Sequence, residues 1–228
     1  MTYGFSESAD FRAVNVRVED GMTRYECLYR DKPLGEIALG ILGRHNALNS
    51  LSAVAVAMDL GLSFGTIREG LAVFRGVGRR MERVGESGGV LVMDDYGHHP
   101  TEIRATLDAL SSLGRRLIVV FQPHRYSRTK LLWEEFGQCF SNADVLFLTE
   151  IYPAGEEPIE GVSSELICQA IKKHSGRDTA IVGRFEDIAE TVASEVREGD
   201  VVLTLGAGDI YKAGPAVLEI LNNRGFRK

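Results

Sequence analysis

From residue 89 onward, short apolar runs alternate regularly with longer amphipathic runs. The alternation predicts strands at 90–95, 116–122, 144–150, 179–183 and 200–206, and helices at 101–113, 128–141, 163–174, 186–197 and 209–223. Residues 117–121 and 201–205 are continuously apolar, which is typical of strands buried on both faces of a parallel sheet. Strand–helix alternation of this kind predicts an α/β fold with a Rossmann-like, doubly wound, mostly parallel sheet.

The first 40 residues have a different period. Residues 14–18 and 23–29 alternate between apolar and polar side chains, and Asp20-Gly21 between them is a turn signal. We therefore predict a β-hairpin. Residues 32–35, Lys-Pro-Leu-Gly, predict a further turn.

Two helices are predicted next. The first covers residues 45–58, which are rich in alanine, and Gly61 fits its carboxyl-terminal stop. The second covers residues 63–74, with Ser63 as its N-cap.

Residues 76–83 interrupt both patterns. Two glycines and three arginines make this stretch poor core material, so we place a domain boundary near residues 80–88. A chain of 228 residues is long enough for two modest domains. The predicted domains are residues 1–82 and 83–228.

Composition narrows the possible partners and the compartment. The net charge of −6 argues against a general nucleic-acid-binding role, because such domains usually carry excess positive charge. The three scattered cysteines predict reduced thiols rather than a disulfide framework or a zinc knuckle. No apolar run approaches the roughly 20 residues that cross a bilayer, and the amino terminus lacks the features of a signal peptide. These features predict a cytoplasmic protein with no membrane partner.

Three predicted strand-to-helix turns carry most of the reactive side chains. They are residues 95–99 (Asp-Tyr-Gly-His-His), 122–130 (Gln-Pro-His-Arg-Tyr-Ser-Arg-Thr-Lys) and 205–209 (Leu-Gly-Ala-Gly-Asp). In parallel α/β sheets such turns lie together at the carboxyl ends of the strands, where ligands bind.

The adjacent histidines His98 and His99 have two interpretations. Side chains of neighbouring residues point apart on extended backbone, and the sequence offers no clear third and fourth ligand at zinc spacing. We therefore predict no metal site and interpret the pair as polar residues before a helix. A metal hydrolase built on His98, His99 and His124 is the alternative.

Arg125, Arg128 and Lys130 lie at the start of a predicted helix. Positive charge is unfavourable there because of the helix dipole. The cluster therefore predicts an anionic partner, a phosphate or a carboxylate; a solvated helix start is the alternative.

The Gly206-Ala207-Gly208 turn resembles the beginning of a dinucleotide-binding fingerprint. Tyr211 occupies the position of the third glycine, so the signal is weak. A tight strand-to-helix turn with close backbone approach explains the glycines equally well.

Arg80, Asn46 and Asn49 also have two interpretations each. Arg80 is either an exposed linker charge or a clamp that contacts a ligand. The asparagines, with His45, either cap the alanine-rich helix or lie on one helix face and contact a purine through their amides.

Two long motifs carry a family resemblance. Residues 94–102, Asp-Asp-Tyr-Gly-His-His-Pro-Thr-Glu, and 121–129, Phe-Gln-Pro-His-Arg-Tyr-Ser-Arg-Thr, closely resemble the carboxyl half of a Mur ligase of bacterial peptidoglycan synthesis. Residues 43–49 resemble the end of the family's central ATP-binding domain, 78–82 its interdomain linker, and 205–210 its last strand and turn. By this resemblance, residues 1–82 are the incomplete carboxyl-terminal part of the central domain.

The resemblance implies an ATP-dependent amide ligation through an acyl phosphate. The motifs favour the branch that adds L-alanine to UDP-N-acetylmuramate over the branch that reattaches murein peptides; the implied substrates are ATP, L-alanine and UDP-N-acetylmuramate, with Mg²⁺ as cofactor. The resemblance also assigns residue roles: Asn46 and Asn49 at the adenine, Arg80 at the phosphates or ribose, Asp95 at the ribose hydroxyls, and Tyr96, His98, Arg125 and Arg128 at the alanine or the acyl phosphate.

The sequence departs from the family in one respect. It contains no Gly-x-x-Gly-Lys-Ser/Thr phosphate-binding loop. We therefore expect a fragment that is inactive alone, with the loop, the magnesium ligands and the UDP-binding domain upstream, and with a first domain that is less stable or self-associates. A standalone nucleotide- or metabolite-binding module is the alternative from a different class.

Overall fold

The computed structural model describes residues 1–19, 21–183 and 185–224. They form two compact units, Met1–Val77 and Gly78–Lys228. The division falls earlier than the predicted boundary after residue 82. The reason is that Arg79 pairs with Asp94 and the Met81 N–H donates to Asp95 at 2.8 Å, both within the second unit.

The first unit contains a four-stranded sheet in the order β1-β2-β3-β4. The strands are β1 (Tyr3–Gly4), β2 (Phe11–Glu19), β3 (Met22–Tyr29) and β4 (Lys32–Leu39). β2 and β3 pair antiparallel, which confirms the hairpin; Asp20 of its predicted turn lies outside the described residues.

The predicted turn at residues 32–35 is wrong. The chain reverses instead at Arg30 and Asp31, with φ values of 47° and 64°, and residues 32–35 belong to β4. Pro33 pairs with Leu28 in this strand. An edge strand tolerates a proline because its missing N–H can face solvent.

Two helices pack on this sheet, α1 (Arg44–Asp59) and α2 (Phe64–Val73). Ser63 accepts a hydrogen bond from the Thr66 N–H, which confirms it as the N-cap of α2. Gly61, with φ 87°, follows the end of α1 as predicted. The N-cap of α1 is Gly43, and no side chain caps this helix end, so the alternative interpretation of the asparagines as its cap is wrong.

The second unit is built on a six-stranded sheet in the order β5-β6-β10-β7-β8-β9. The strands are β5 (Glu82–Ser87), β6 (Val90–Asp95), β7 (Leu117–Phe121), β8 (Val145–Thr149), β9 (Ala180–Val182) and β10 (Val201–Leu205). β6 to β10 pair in parallel, as predicted. β5 was not predicted; it is a mostly polar edge strand, antiparallel to β6.

The connecting helices are those expected, with shifted ends. They are α3 (Pro100–Ser111), α4 (Tyr126–Phe136), α5 (Ser164–Ser175), α6 (Phe185–Glu195) and α7 (Ala213–Asn223). A 3₁₀ turn, Ile210–Lys212, precedes α7 within the predicted helix 209–223. α4 ends at Phe136, before the predicted residue 141, with Gly137 as its C-cap. Gly137 packs so closely on Ala170 that an added Cβ would lie 2.7 Å from the alanine Cβ.

Helices cover both faces of the larger sheet, which confirms the doubly wound fold. Ile118 and Val120 of β7 belong to the core that α6 and α7 complete. Phe121 points to the opposite face, since side chains alternate along a strand, and its ring lies 5.5 Å from that of Phe136 in α4. No helix among the described residues is long and apolar enough to cross a membrane.

The central position of β10 brings the three reactive turns together. Leu205 is in register with Asp95 on one side and with Phe121 on the other. The three turns therefore leave the sheet side by side at its carboxyl edge. Gly206 has φ 146°, and a Cβ on it would lie 2.7 Å from the Gln122 carbonyl oxygen.

We expect Gly206→Ala to destabilise the second unit by about 2–4 kcal/mol, because a backbone atom blocks the new methyl group and the φ is unfavourable for alanine. Thermal and denaturant unfolding measure the loss. Gly183→Ala is the matched control, since its Cβ would approach no atom closer than 3.9 Å. Equal stability of the two variants would contradict close packing at Gly206.

Candidate functional site

Asp95, the last residue of β6, fastens the first reactive turn. Its Oδ2 accepts the Met81 N–H at 2.8 Å. Its Oδ1 accepts the Gly97 N–H at 2.8 Å and the Thr106 hydroxyl at 3.2 Å. The side chain is only 3% exposed. Burial raises the pKa of Asp95, and these hydrogen bonds oppose the rise. Its contact with a ribose stays a prediction.

Asp94 makes a second buried carboxylate on the opposite face of the strand. It accepts the Thr204 hydroxyl at 2.6 Å and the Arg79 Nε–H at 3.2 Å. Burial raises the pKa of Asp94, while Thr204 and Arg79 counteract it. Arg79 also donates to the Gly206 carbonyl at 2.6 Å. Arg79 thereby holds its own segment against β6 and against the turn that follows β10.

Two arginines flank the ring of Tyr96. The Arg79 guanidinium lies 4.9 Å from the Tyr96 centroid and 4.6 Å from that of Tyr211. The Arg80 guanidinium lies 5.5 Å from the Tyr96 centroid, and the Arg80 side chain is 50% exposed. Arg80 was predicted as a site residue; its NH1 lies 3.8 Å from the Glu102 carboxylate, and about half of the side chain faces solvent. Arg79 was not predicted, because nothing in its local sequence indicates contacts so distant along the chain.

Glu102 organises the two adjacent histidines. Its Oε2 accepts the His98 N–H at 3.0 Å and the His99 N–H at 3.2 Å. Burial acts to raise the pKa of Glu102, but the His98 N–H and other positive partners, including Arg80, hold it below its usual value. The His99 ring accepts the Thr101 N–H and completes a capping box at α3.

His98 takes a different direction from His99. Its Nδ1 lies 3.0 Å from the Tyr96 carbonyl oxygen, so the two imidazoles have separate partners. In the part of the chain that the structure describes, no group of three or more histidine, cysteine or acidic side chains is placed to hold a metal ion.

Four aromatic rings form a row along the carboxyl edge of the sheet. The rings of Tyr96 and His98 meet edge to face, with their centroids 5.4 Å apart. The ring centroids of His98 and His124 are 5.7 Å apart. The ring of His124 stacks on that of Tyr152, with 5.6 Å between the centroids. Tyr152 was not singled out from the sequence. The sequence signal that could have indicated Tyr152 is its position just after β8, the third parallel strand along the chain.

Arg128 fixes the tautomer of His124, and burial together with nearby charge keeps the ring neutral. Its NH1 donates to the His124 Nδ1 at 3.1 Å and to the His124 carbonyl at 3.1 Å. Nδ1 is therefore an acceptor, and the ring hydrogen lies on Nε2. Burial, followed by the charges of Arg128 and of other neighbours, lowers the pKa of His124 to about 4. The imidazole is neutral at pH 7.

Arg125 is the N-cap of α4 and has φ 74°, in the left-handed region. Its N–H donates to the Tyr152 carbonyl at 2.8 Å, and its own carbonyl accepts the Thr129 hydroxyl at 3.0 Å. The guanidinium lies 3.8 Å from the Glu156 carboxylate, and the side chain is 49% exposed.

Glu156 supplies an anion at the start of α4 from within the chain. Its Oε2 accepts the Ser127 N–H at 2.9 Å, and its Oε1 accepts the Ser127 hydroxyl at 2.5 Å. These hydrogen bonds, the hydroxyl first, lower the pKa of Glu156. Arg125 therefore has an internal carboxylate partner, which the local sequence does not reveal because Glu156 belongs to a later loop.

The predicted adenine contacts lie in the first unit. Asn46 donates through Nδ2 to the Leu42 carbonyl at 2.7 Å and is half-buried, while Asn49 is exposed one turn later in α1. Residues three apart share a helix face. Contact of this pair with adenine stays a prediction.

Comparisons with known proteins agree with the motifs. A family model described as Mur ligase, glutamate ligase domain, matches residues 79–208. A UDP-N-acetylmuramate–L-alanine ligase from Geobacter sulfurreducens is 52% identical over 220 residues, which cover 96% of this chain and 48% of that protein. One from Myxococcus xanthus is 45% identical over 100% of this chain and 48% of its own length.

Solved structures give the same result. The UDP-N-acetylmuramate–alanine ligase MurC from Thermotoga maritima superposes with a TM-score of 0.83 at 26% identity, over 98% of this chain and 48% of that one. The MurF ligase from the same organism, in complex with ADP, shares the fold with a TM-score of 0.74 at 22% identity, over 98% and 49%. The chain spans about half the length of the relatives it matches. With the family model covering more than half of its residues, the chain belongs to the Mur ligase family.

Proposed function

We propose that this chain is part of an ATP-dependent ligase that joins L-alanine to UDP-N-acetylmuramate in cytoplasmic peptidoglycan synthesis. The observation that carries the proposal is the meeting of Tyr96, His98, Arg125 and Arg128 at one sheet edge. The names and identities of the curated relatives support it.

In the proposed reaction, the carboxylate of UDP-N-acetylmuramate takes the γ-phosphoryl group of ATP, ADP leaves, and an acyl phosphate forms. The neutral alanine amine then attacks that carbonyl carbon, phosphate leaves with the bonding electrons, and the nitrogen loses a proton to give the amide. Such chemistry depends mainly on positioning and on charge stabilisation. Arg125 and Arg128 would hold the alanine carboxylate, since guanidinium groups match its geometry. Tyr96 and His98 would line the amine side.

The nucleoside would meet other residues. Asn46 and Asn49 would contact the adenine through their amides, and Arg80, half exposed, would reach the phosphates or ribose. Asp95 would hold the ribose hydroxyls. Three of its about four lone-pair sites accept internal donors and the residue is 3% exposed, so this contact would use the one remaining site.

Among the described residues, no group of three or more histidine, cysteine or acidic side chains is placed to hold a metal ion, and the sequence contains no Gly-x-x-Gly-Lys-Ser/Thr phosphate-binding loop. We propose no metal-binding role for these residues, and we propose that the chain is inactive alone. We also propose that the first unit self-associates through apolar surface. The supporting observation is that this unit exposes the apolar side chains of Val56, Leu60 and Val73.

Phosphate release tests the substrate assignment. We expect the full-length protein, given ATP, Mg²⁺ and UDP-N-acetylmuramate, to release phosphate only when L-alanine is added. The 228-residue chain should release none under the same conditions. Release that requires a murein tripeptide instead of alanine would identify the recycling branch, and release by neither would overturn ligation.

Arg128→Lys tests the guanidinium geometry. Lysine keeps the charge but loses the planar guanidinium, whose NH1 donates twice to His124. We therefore expect the KM for alanine to rise about tenfold, the equivalent of one charged hydrogen bond. The KM for ATP should change little. Lys173→Ala, on the exposed side of α5, is the control. A uniform loss of kcat without a change in the alanine KM would contradict this role.

The neutral state of His124 predicts a pH dependence. Because its folded pKa of about 4 lies below the ordinary 6.5, the unfolded chain binds more protons between these values. The contribution of neutral His124 to the free energy of unfolding is therefore complete above pH 6.5 and is lost as the pH falls toward 4. Denaturant unfolding from pH 7 to 4 should show a smaller loss for His124→Gln. An imidazole NMR titration near pH 6.5 would refute the assignment.

A further inference from the structure

We propose that Glu156 is a positioning residue for the alanine side of the site, acting through the start of α4 and through Arg125. The inference rests on the proposed function, because it assumes that Arg125 meets the amino acid. It assigns a role to the 151–156 loop, which neither long motif contains.

The Glu156 carboxylate closes the first turn of α4. It accepts both the N–H and the hydroxyl of Ser127, at 2.9 and 2.5 Å, and its side chain is 24% exposed. The first turn of α4 contains no acidic residue of its own. Negative charge at this end of a helix is stabilising, so Glu156 takes the part that a local acidic residue plays in other helices.

Backbone hydrogen bonds fasten the same loop to the turn before α4. The Tyr152 N–H donates to the Pro123 carbonyl, and the Arg125 N–H donates to the Tyr152 carbonyl, each at 2.8 Å. His124 and Tyr152 form an isolated parallel bridge. The 151–156 loop therefore contacts the chain before Arg125, through Tyr152, and after it, through the hydrogen bonds of Glu156 to Ser127.

This double hold explains the backbone of Arg125. A residue with a Cβ is disfavoured at φ 74°, so neighbouring contacts must maintain that conformation. Release of Ser127 would let Arg125 relax to an ordinary φ and would move its guanidinium. The Cα–Cβ direction of Arg125, and with it the reach of the side chain, depends on the Glu156 contacts.

The direct ion pair is the weaker part of the arrangement. Arg125 and Glu156 are 3.8 Å apart, and Arg125 is half exposed. Exposed pairs of this kind contribute little. Glu156 therefore acts on Arg125 through its hydrogen bonds to Ser127 more than through their ion pair, and an isosteric amide should replace it better than a methyl group.

The test compares Glu156→Ala, Glu156→Gln and Glu157→Ala in the full-length protein. Glu157→Ala is the matched control, since it removes the same charge from an exposed neighbouring position. We expect Glu156→Ala to raise the KM for alanine about tenfold, a loss of about 1.4 kcal/mol, with the KM for ATP unchanged. Glu156→Gln should recover most of the loss.

Hydrogen–deuterium exchange separates this proposal from the proposed function. The peptide that contains residues 126–128 should exchange faster in Glu156→Ala than in Glu157→Ala, whatever the substrate. Faster exchange with no alanine-dependent activity in the wild type would refute the function and leave the contact supported. Equal alanine KM values in Glu156→Ala and Glu157→Ala would overturn the positioning role, as would a parallel rise in the KM for ATP. If Glu156→Ala does not fold, Ser127→Ala replaces it, with a smaller selective rise expected.

Discussion

Two adjacent buried carboxylates at the end of β6 organise the carboxyl edge of the second unit. Asp94 and Asp95 point to opposite faces of the strand. The first holds Arg79 and the β10 residue Thr204, and the second holds the N–H groups of residues 81 and 97. Removing any partner would leave a buried charge less compensated, which is costly. Burial raises both pKa values, and the hydrogen bonds oppose the rise. The position of residues 79–81, the pairing with β10 and the shape of the turn after β6 all depend on this pair.

Two acidic side chains support this edge from within, and two arginines lie half exposed beside it. Asp95 is 3% exposed, and Glu156 spends both carboxylate oxygens on Ser127. Arg80 and Arg125, in contrast, are about half exposed. A protein of net charge −6 therefore presents positive groups and aromatic rings where its parallel strands end. A carboxylate or a phosphate is the ligand that such a surface suits, which agrees with the proposed amino acid and nucleotide substrates.

The sequence predicted most of the larger sheet because burial on both faces leaves an unmistakable apolar run, as in 117–121 and 201–205. It failed where polarity or a distant partner decides the structure. β5 is a polar edge strand, so periodicity did not reveal it. The chain reverses at residues 30–31 rather than at Pro33, because an edge strand can accept a proline. The sequence did not predict the supporting roles of Arg79, Tyr152 and Glu156, because their partners are far away in sequence. Arg79, for example, donates to the Gly206 carbonyl.

Both arginines at the start of α4 have a supporting partner, and part of that support comes from the loop after another strand. Arg128 is oriented by His124, whose ring packs on Tyr152. Arg125 is held by the loop after β8. These contacts join the turns after β7 and β8, and the rings of His98 and His124 bring in the turn after β6. Gly206 packs the turn after β10 on Gln122. Their geometry cannot exist before those strands pair in register. A local helix or hairpin could not preserve it, so we infer that formation of the candidate site and formation of the central sheet are one cooperative event.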